Sequence, residues 1–137
     1  DAEIENSRYS EIPIIIERKR VATSVLRRTN QSKFRRQILS AANNRCILTN
    51  ETTLDVIEAA HIVPVGHGGS DHVGNGFCMR VDIHRLYDSG KIRINPDGSV
   101  ELNEQIKNTV SYSGLPKNIQ FPVSVSNKNV EWRSRYL

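Results

Sequence analysis

Acidic residues are missing from one long stretch of this chain. Between Arg18 and Arg45 lie nine Lys or Arg residues and no Asp or Glu. A block of one sign repels itself unless something anionic sits against it, and a polyphosphate is the commonest such partner. A solvated helix face or a flexible basic arm is the plainer alternative. Aromatics are scarce at 6%, and hydrophobic residues make up 37%, so the core must be thin and built mostly from Ile, Val and Leu. At 137 residues there is material for one compact domain but not comfortably for two. Long apolar runs are absent. "IPIII" at 12–16 is far too short to cross a bilayer, and the acids before it and the lack of a small-residue cleavage site speak against a secretory signal. Only Cys46 and Cys78 occur, which excludes a disulfide framework. They read as free thiols in a reducing compartment, so a cytoplasmic location and no membrane partner are expected.

The order of elements comes from periodicity. Residues 1–29 read as a basic, partly ordered arm, with 12–16 a candidate edge strand kept out of a sheet centre by Pro13. From residue 30 onward one domain is expected. Phe34, Ile38, Leu39 and Ala42 recur at helical spacing, with Ser32 as N-cap and Asn43–Asn44 as the stop. "DVIEAAHIVP" reads as a buried strand ended by Pro64, "VGHGGSDHVGNG" as a loop, and "FCMR" as a second short strand. "DIHRLYDSG" reads as a short helix capped by Asp82 and closed by Gly90. "KIRINPDGSVEL" has the signature of a hairpin over 91–102 with "NPDG" as its turn. The tail from Lys107 to Leu137 reads as irregular chain over the core. The fold class is therefore α+β.

Against this thin background one stretch is crowded. Residues 58–90 hold all four histidines, four acids and six of the eight glycines. His61 lies near the end of the first strand, and its near-neutral pKa suits a general base. His84 and Asp88 are four apart on the short helix and can reach one divalent cation with positions left for water and phosphate. Asn75, in "GNG", can bond backbone groups on both sides of the loop. The glycines are not a Walker loop, because no GK[ST] follows. His67, His72 and Asp71 read as polar loop residues. Arg85 reads either as a phosphate contact or as a partner of Asp82.

"EAAHIVP", "GNG" and "DIHRLYDSG", in that order, resemble the HNH endonuclease family, in the branch with an Ala-His pair found in restriction and phage-defence nucleases. The likeness runs over roughly residues 30–105. It implies a ββα-metal core over 55–90, with an N-terminal basic helix and a flanking β-hairpin. It also implies His61 as base, Asn75 as loop-fixing residue, and His84 with Asp88 as metal ligands. The cation implied is Mg²⁺ or Mn²⁺, with Ni²⁺, Co²⁺ or Zn²⁺ also compatible with imidazole. Many members carry a ligand just before the base; here that position is Ala60, and Glu58, on the same strand face, is the candidate substitute. Two CxxC pairs are lacking, so no structural zinc is expected. The expected activity is metal-dependent hydrolysis of DNA phosphodiesters, with Arg27, Arg28, Lys33, Arg35, Arg36 and Arg85 along the DNA. Recognition of a target would fall to a further domain or a second copy of the chain. A non-catalytic DNA-binding module that keeps the fold is the competing reading.

Overall fold

Why the chain folds as it does is clearest at the helix over 31–41 (α1). The computed structural model describes residues 31–137, and its compact unit spans Phe34–Leu137. The basic arm over 1–29, the edge strand expected at 12–16, and Arg27 and Arg28 lie outside the described residues. In α1 the 3.6-residue period brings Phe34, Ile38 and Leu39 to one face, and all three are buried. Residue 31 is already helical, so Ser32 lies within the helix and does not cap it. Asn43 and Asn44 both take positive φ, 54° and 55°. Asn tolerates that region better than other side-chain-bearing residues, so the stop falls where expected.

A 3₁₀ turn, Leu54–Val56, precedes β1 (Ile57–His61), which pairs antiparallel with β2 (Gly76–Arg80). The expected strand is thus trimmed at both ends, because the ladder supplies partners only between the Ile57–Arg80 and His61–Gly76 pairs. Gly76 through Met79 are all buried, so this two-stranded sheet is covered on both faces. Helix α2 (Val81–Asp88) follows β2 directly. Its N-cap is Arg80, not Asp82. Asp82 sits in the first turn, where an acid complements the helix dipole, and accepts from Arg80 at 2.6 and 3.0 Å and from the Tyr112 hydroxyl at 2.8 Å. Gly90, at φ 78°, ends α2 as expected. The Lys91 N–H reaches Leu86 O at 2.9 Å and the Gly90 N–H reaches Tyr87 O at 3.1 Å, a Schellman closure.

The hairpin is present as β3 (Ile92–Ile94) and β4 (Val100–Leu102) around the expected turn. Beyond it the reading of an irregular tail is corrected. A short helix α3 (Glu104–Lys107) and a ten-residue helix α4 (Asn127–Tyr136) occupy it. Little in α4 signals a helix, because Val130 is its one buried residue. It is held by polar contacts instead. The Arg133 guanidinium donates to Ile62 O at 3.0 Å and Tyr87 O at 2.7 Å, and lies 3.7 Å from the Tyr87 ring centroid.

Phe34 and Ile38 approach the sheet where β2 begins. A Cβ placed on Gly76 would stand 2.5 Å from Ile38 Cδ1 and 2.7 Å from Phe34 Cζ. Glycine is needed there for close approach of helix and strand. We expect Gly76→Ala to lower unfolding free energy by about 1–3 kcal/mol through overpacking, measured by urea denaturation. A change within about 0.5 kcal/mol, the range of surface substitutions, would contradict this packing.

Candidate active site

Alternation along β1 sends neighbouring side chains to opposite faces. His61 faces α1, where its ring stacks on Phe34 with centroids 4.1 Å apart and planes 11° from parallel. Its Nε2 lies 2.8 Å from Asp71 Oδ1. A carboxylate oxygen can only accept, so the proton of that bond belongs to Nε2. The loop that carries Asp71 is tied back by Asn75, the one buried polar side chain among the described residues. The Val63 N–H donates to Asn75 Oδ1 at 2.8 Å, and Asn75 Nδ2 donates to Val63 O at 3.0 Å and Ser70 O at 2.8 Å. These three bonds tie Val63 and Ser70 to the residue just before β2.

Glu58 faces the other way, toward α2. Its Oε1 lies 2.6 Å from His84 Nδ1, while Asp88 Oδ2 lies 3.1 Å from His84 Nε2. The two carboxylates occupy opposite edges of one imidazole and do not converge on a point. That corrects the expectation that Glu58 stands in for a ligand at Ala60: a carboxylate on the far nitrogen orients a ligating ring and raises its basicity. Among the described residues no three His, Cys, Asp or Glu side chains form a ready cluster around one ion. The pair His84 Nε2 and Asp88 Oδ2 does fit a divalent cation. Two donors each roughly 2.1 Å from an ion, at right angles, stand about 3 Å apart. Such a pair leaves most coordination positions open.

Electrostatics tie this pair to its neighbours. Burial alone would lower the His84 pKa, but the carboxylates of Asp88 and Glu58 outweigh it and raise it above the ordinary histidine value. Burial works to raise Asp88; contact with His84 opposes it, helped by the nearby charges of Arg133 and His61, and the net shift is downward. His61 therefore acts on Asp88 through space while touching Asp71. Arg85 is exposed and is not the partner of Asp82, which Arg80 takes. Lys33 and Arg36 are exposed, whereas Arg35 donates to Leu54 O at 2.9 Å and also to Ile57 O. His72 accepts from the Gly74 N–H at 3.0 Å and shapes the loop, and His67 packs against Trp132 at 5.4 Å. Both cysteines are buried, and burial pushes the Cys78 thiol up to about 11. Two site-forming residues escaped sequence reasoning. Asp71 looked like an ordinary turn residue, and Arg133 lies 46 positions from the Tyr87 it covers.

A pH dependence follows for the metal-free protein. His84 contributes stability that is complete below its ordinary value of 6.5 and is lost as pH rises through its raised folded value. Asp88 contributes stability present above its ordinary 3.8 and lost as pH falls through its lowered folded value. With chelator present, Tm should be highest between those two values and decline on the alkaline side. His84→Gln should flatten the alkaline flank, and a wild-type flank already flat would remove the ion-pair account.

A family model described as HNH endonuclease matches residues 46–95. No curated protein matches the chain. Among solved structures the chain is similar to one titled "Modification dependent TagI restriction endonuclease", with a TM-score of 0.58 and 18% identity. The likeness covers 77% of this chain and 37% of that one, so the chain spans little more than a third of the length of that enzyme. At this identity the likeness concerns the fold. The matched segment contains β1, the loop, β2, α2 and β3, with Glu58, His61, Asn75, His84 and Asp88 in order. Over residues 46–95 the chain is thus similar to the HNH endonuclease family, and its fold is similar to that of a restriction endonuclease.

Proposed function

We propose that this chain is the nuclease part of a restriction or defence protein and hydrolyses DNA phosphodiesters with a divalent cation. The observation that carries the metal reading is the 3.1 Å pair of His84 Nε2 and Asp88 Oδ2, with Glu58 gripping the other ring nitrogen. His84 and Asp88 would hold the ion, Mg²⁺ or Mn²⁺ being the first choice where water and phosphate oxygens would fill the open positions. When bound, such an ion supplies Lewis-acid stabilisation of charge on phosphate oxygens. His61 accepts the proton of the attacking water, and Asn75 holds the loop that presents it. Arg85, exposed on α2 beside His84, meets a phosphate. Products with 5′-phosphate and 3′-hydroxyl ends are expected from the family resemblance. The net charge of +4 supports a polyanionic substrate. Contacts of this kind follow backbone, not sequence, so target choice falls to a further domain or a second copy.

The cleavage test is nicking of supercoiled plasmid in Mg²⁺ or Mn²⁺. His61→Ala should lose roughly 10²–10⁴-fold in rate while keeping metal affinity and DNA binding. His84→Ala should lose both turnover and metal affinity, read by calorimetry with Mn²⁺. Wild-type cutting by the His61→Ala protein would overturn the assignment of the base.

Binding separates the basic residues. DNA affinity should fall steeply with salt, and replacing Lys33 and Arg36 together by Gln should reduce the log–log salt slope by about 2. Arg35→Gln should instead lower Tm, since its guanidinium holds the carbonyls of Leu54 and Ile57. A flat salt response would remove the phosphate-tracking surface.

A further inference from the structure

We propose that Asp71 is the positioning residue of the nuclease site: it fixes the His61 ring with its proton on Nε2 and leaves Nδ1 as the nitrogen that takes a proton from water. The inference rests on the reading of His61 as base and adds which atom of it works and what holds it. Three observations converge. Nε2 is occupied by Asp71 Oδ1 at 2.8 Å, so only Nδ1 retains a lone pair in the neutral ring. Rotation of that ring is restrained by Phe34, stacked 4.1 Å away and nearly parallel. Asp71 itself is held on both sides. Asn75 Nδ2 binds the carbonyl of Ser70 just before it at 2.8 Å, and the N–H of His72 just after it donates to Ser70 Oγ at 3.3 Å.

An exposed loop carboxylate ordinarily samples several rotamers and holds nothing in place. Asp71 is 52% exposed by its side chain, and what distinguishes it is that the residue before it is pinned through a buried amide. A path of contacts therefore runs from the core to the base: Asn75 to Ser70, Ser70 to Asp71, Asp71 to His61. In the cleavage step the water proton passes to Nδ1 and the water oxygen forms the new bond to phosphorus. The bond from phosphorus to the 3′ oxygen breaks, its electron pair leaves with that oxygen, and solvent protonates it. The ring becomes an imidazolium, and the Asp71 carboxylate 2.8 Å from Nε2 stabilises the charge that appears, in the manner of an Asp–His pair in other hydrolases.

The tautomer can be read directly. In ¹⁵N-labelled, metal-free protein with neutral imidazoles, His61 should show a pyrrole-type Nε2 and a pyridine-type Nδ1, assigned by their loss in His61→Gln. In Asp71→Asn the amide can offer a donor to Nε2, so the pattern should become mixed or reversed. Plasmid nicking by Asp71→Asn should then fall roughly 10²–10⁴-fold in kcat, with KM and DNA affinity within about twofold, the signature of an interaction made in the transition state. Asp71→Glu, which keeps the carboxylate, should recover part of the rate. A wild-type ring protonated on Nδ1 would overturn the proposal, as would an Asp71→Asn protein that cuts at the wild-type rate. If Asp71→Asn unfolds, the wild-type tautomer decides alone. Because that tautomer is read without DNA or metal, its failure is distinguishable from failure of the cleavage reading itself.

Discussion

A single buried amide closes the loop on which the site hangs. Asn75 satisfies one donor and two acceptors of the chain, at Val63 and Ser70, in the place where the two strands diverge. Glycine-rich backbone such as 66–76 has many conformations open to it, and a buried polar network that is fully satisfied selects one of them. The choice matters because the loop must return Asp71 to the end of β1, where His61 emerges. An apolar residue in place of Asn75 could fill the space but would leave those backbone groups unpaired, at a penalty of about 1–3 kcal/mol for each.

The same small device appears twice around the sheet. His61 and His84 each meet a carboxylate at one ring nitrogen, Asp71 at 2.8 Å and Glu58 at 2.6 Å. The difference lies in which nitrogen is taken. At His61 it is Nε2 that meets Asp71, and at His84 it is Nδ1 that meets Glu58, while its Nε2 lies beside Asp88. Strand alternation explains why the two devices do not interfere: Glu58 and His61 are three residues apart and so face opposite sides of β1. Asp88 feels both rings, touching one and sensing the charge of the other.

Much of this was legible in the sequence, for reasons that can be stated. The helix stripe of Phe34, Ile38 and Leu39, the Asn43–Asn44 stop, the strand pair, the Gly90 closure and the "NPDG" hairpin are local patterns, and local patterns survive in one dimension. The ordered residues His61, Asn75, His84 and Asp88 were visible because their spacing is itself the signal. Glu58 was found but given the wrong neighbour, since alternation fixes a face and not the edge of an imidazole a carboxylate will choose. Asp71 was passed over as a turn residue because its bond to His61 depends on how a loop folds back. Helix α4 left no periodic trace, as one buried valine and a cation–π contact hold it where a stripe of apolar residues would normally do so.

Those misses share a cause. The segment matched by the family model, 46–95, contains Glu58, His61, Asp71, Asn75, His84 and Asp88 but not their supports. Phe34, against which His61 lies flat, comes from α1. Asn129 and Arg133, which bind Gly74 O, Ile62 O and Tyr87 O, come from α4. A two-stranded sheet and one eight-residue helix bury too little apolar surface to be stable alone, so the reactive segment needs cover from both sides. In this chain the cover is supplied by elements more distant in sequence than the site itself, and on one side largely through hydrogen bonds to backbone carbonyls. Such bonds make few demands on the identity of the residue they reach. The site can therefore keep its spacing while the surrounding helices vary, and the motif is easier to recognise than the fold that holds it.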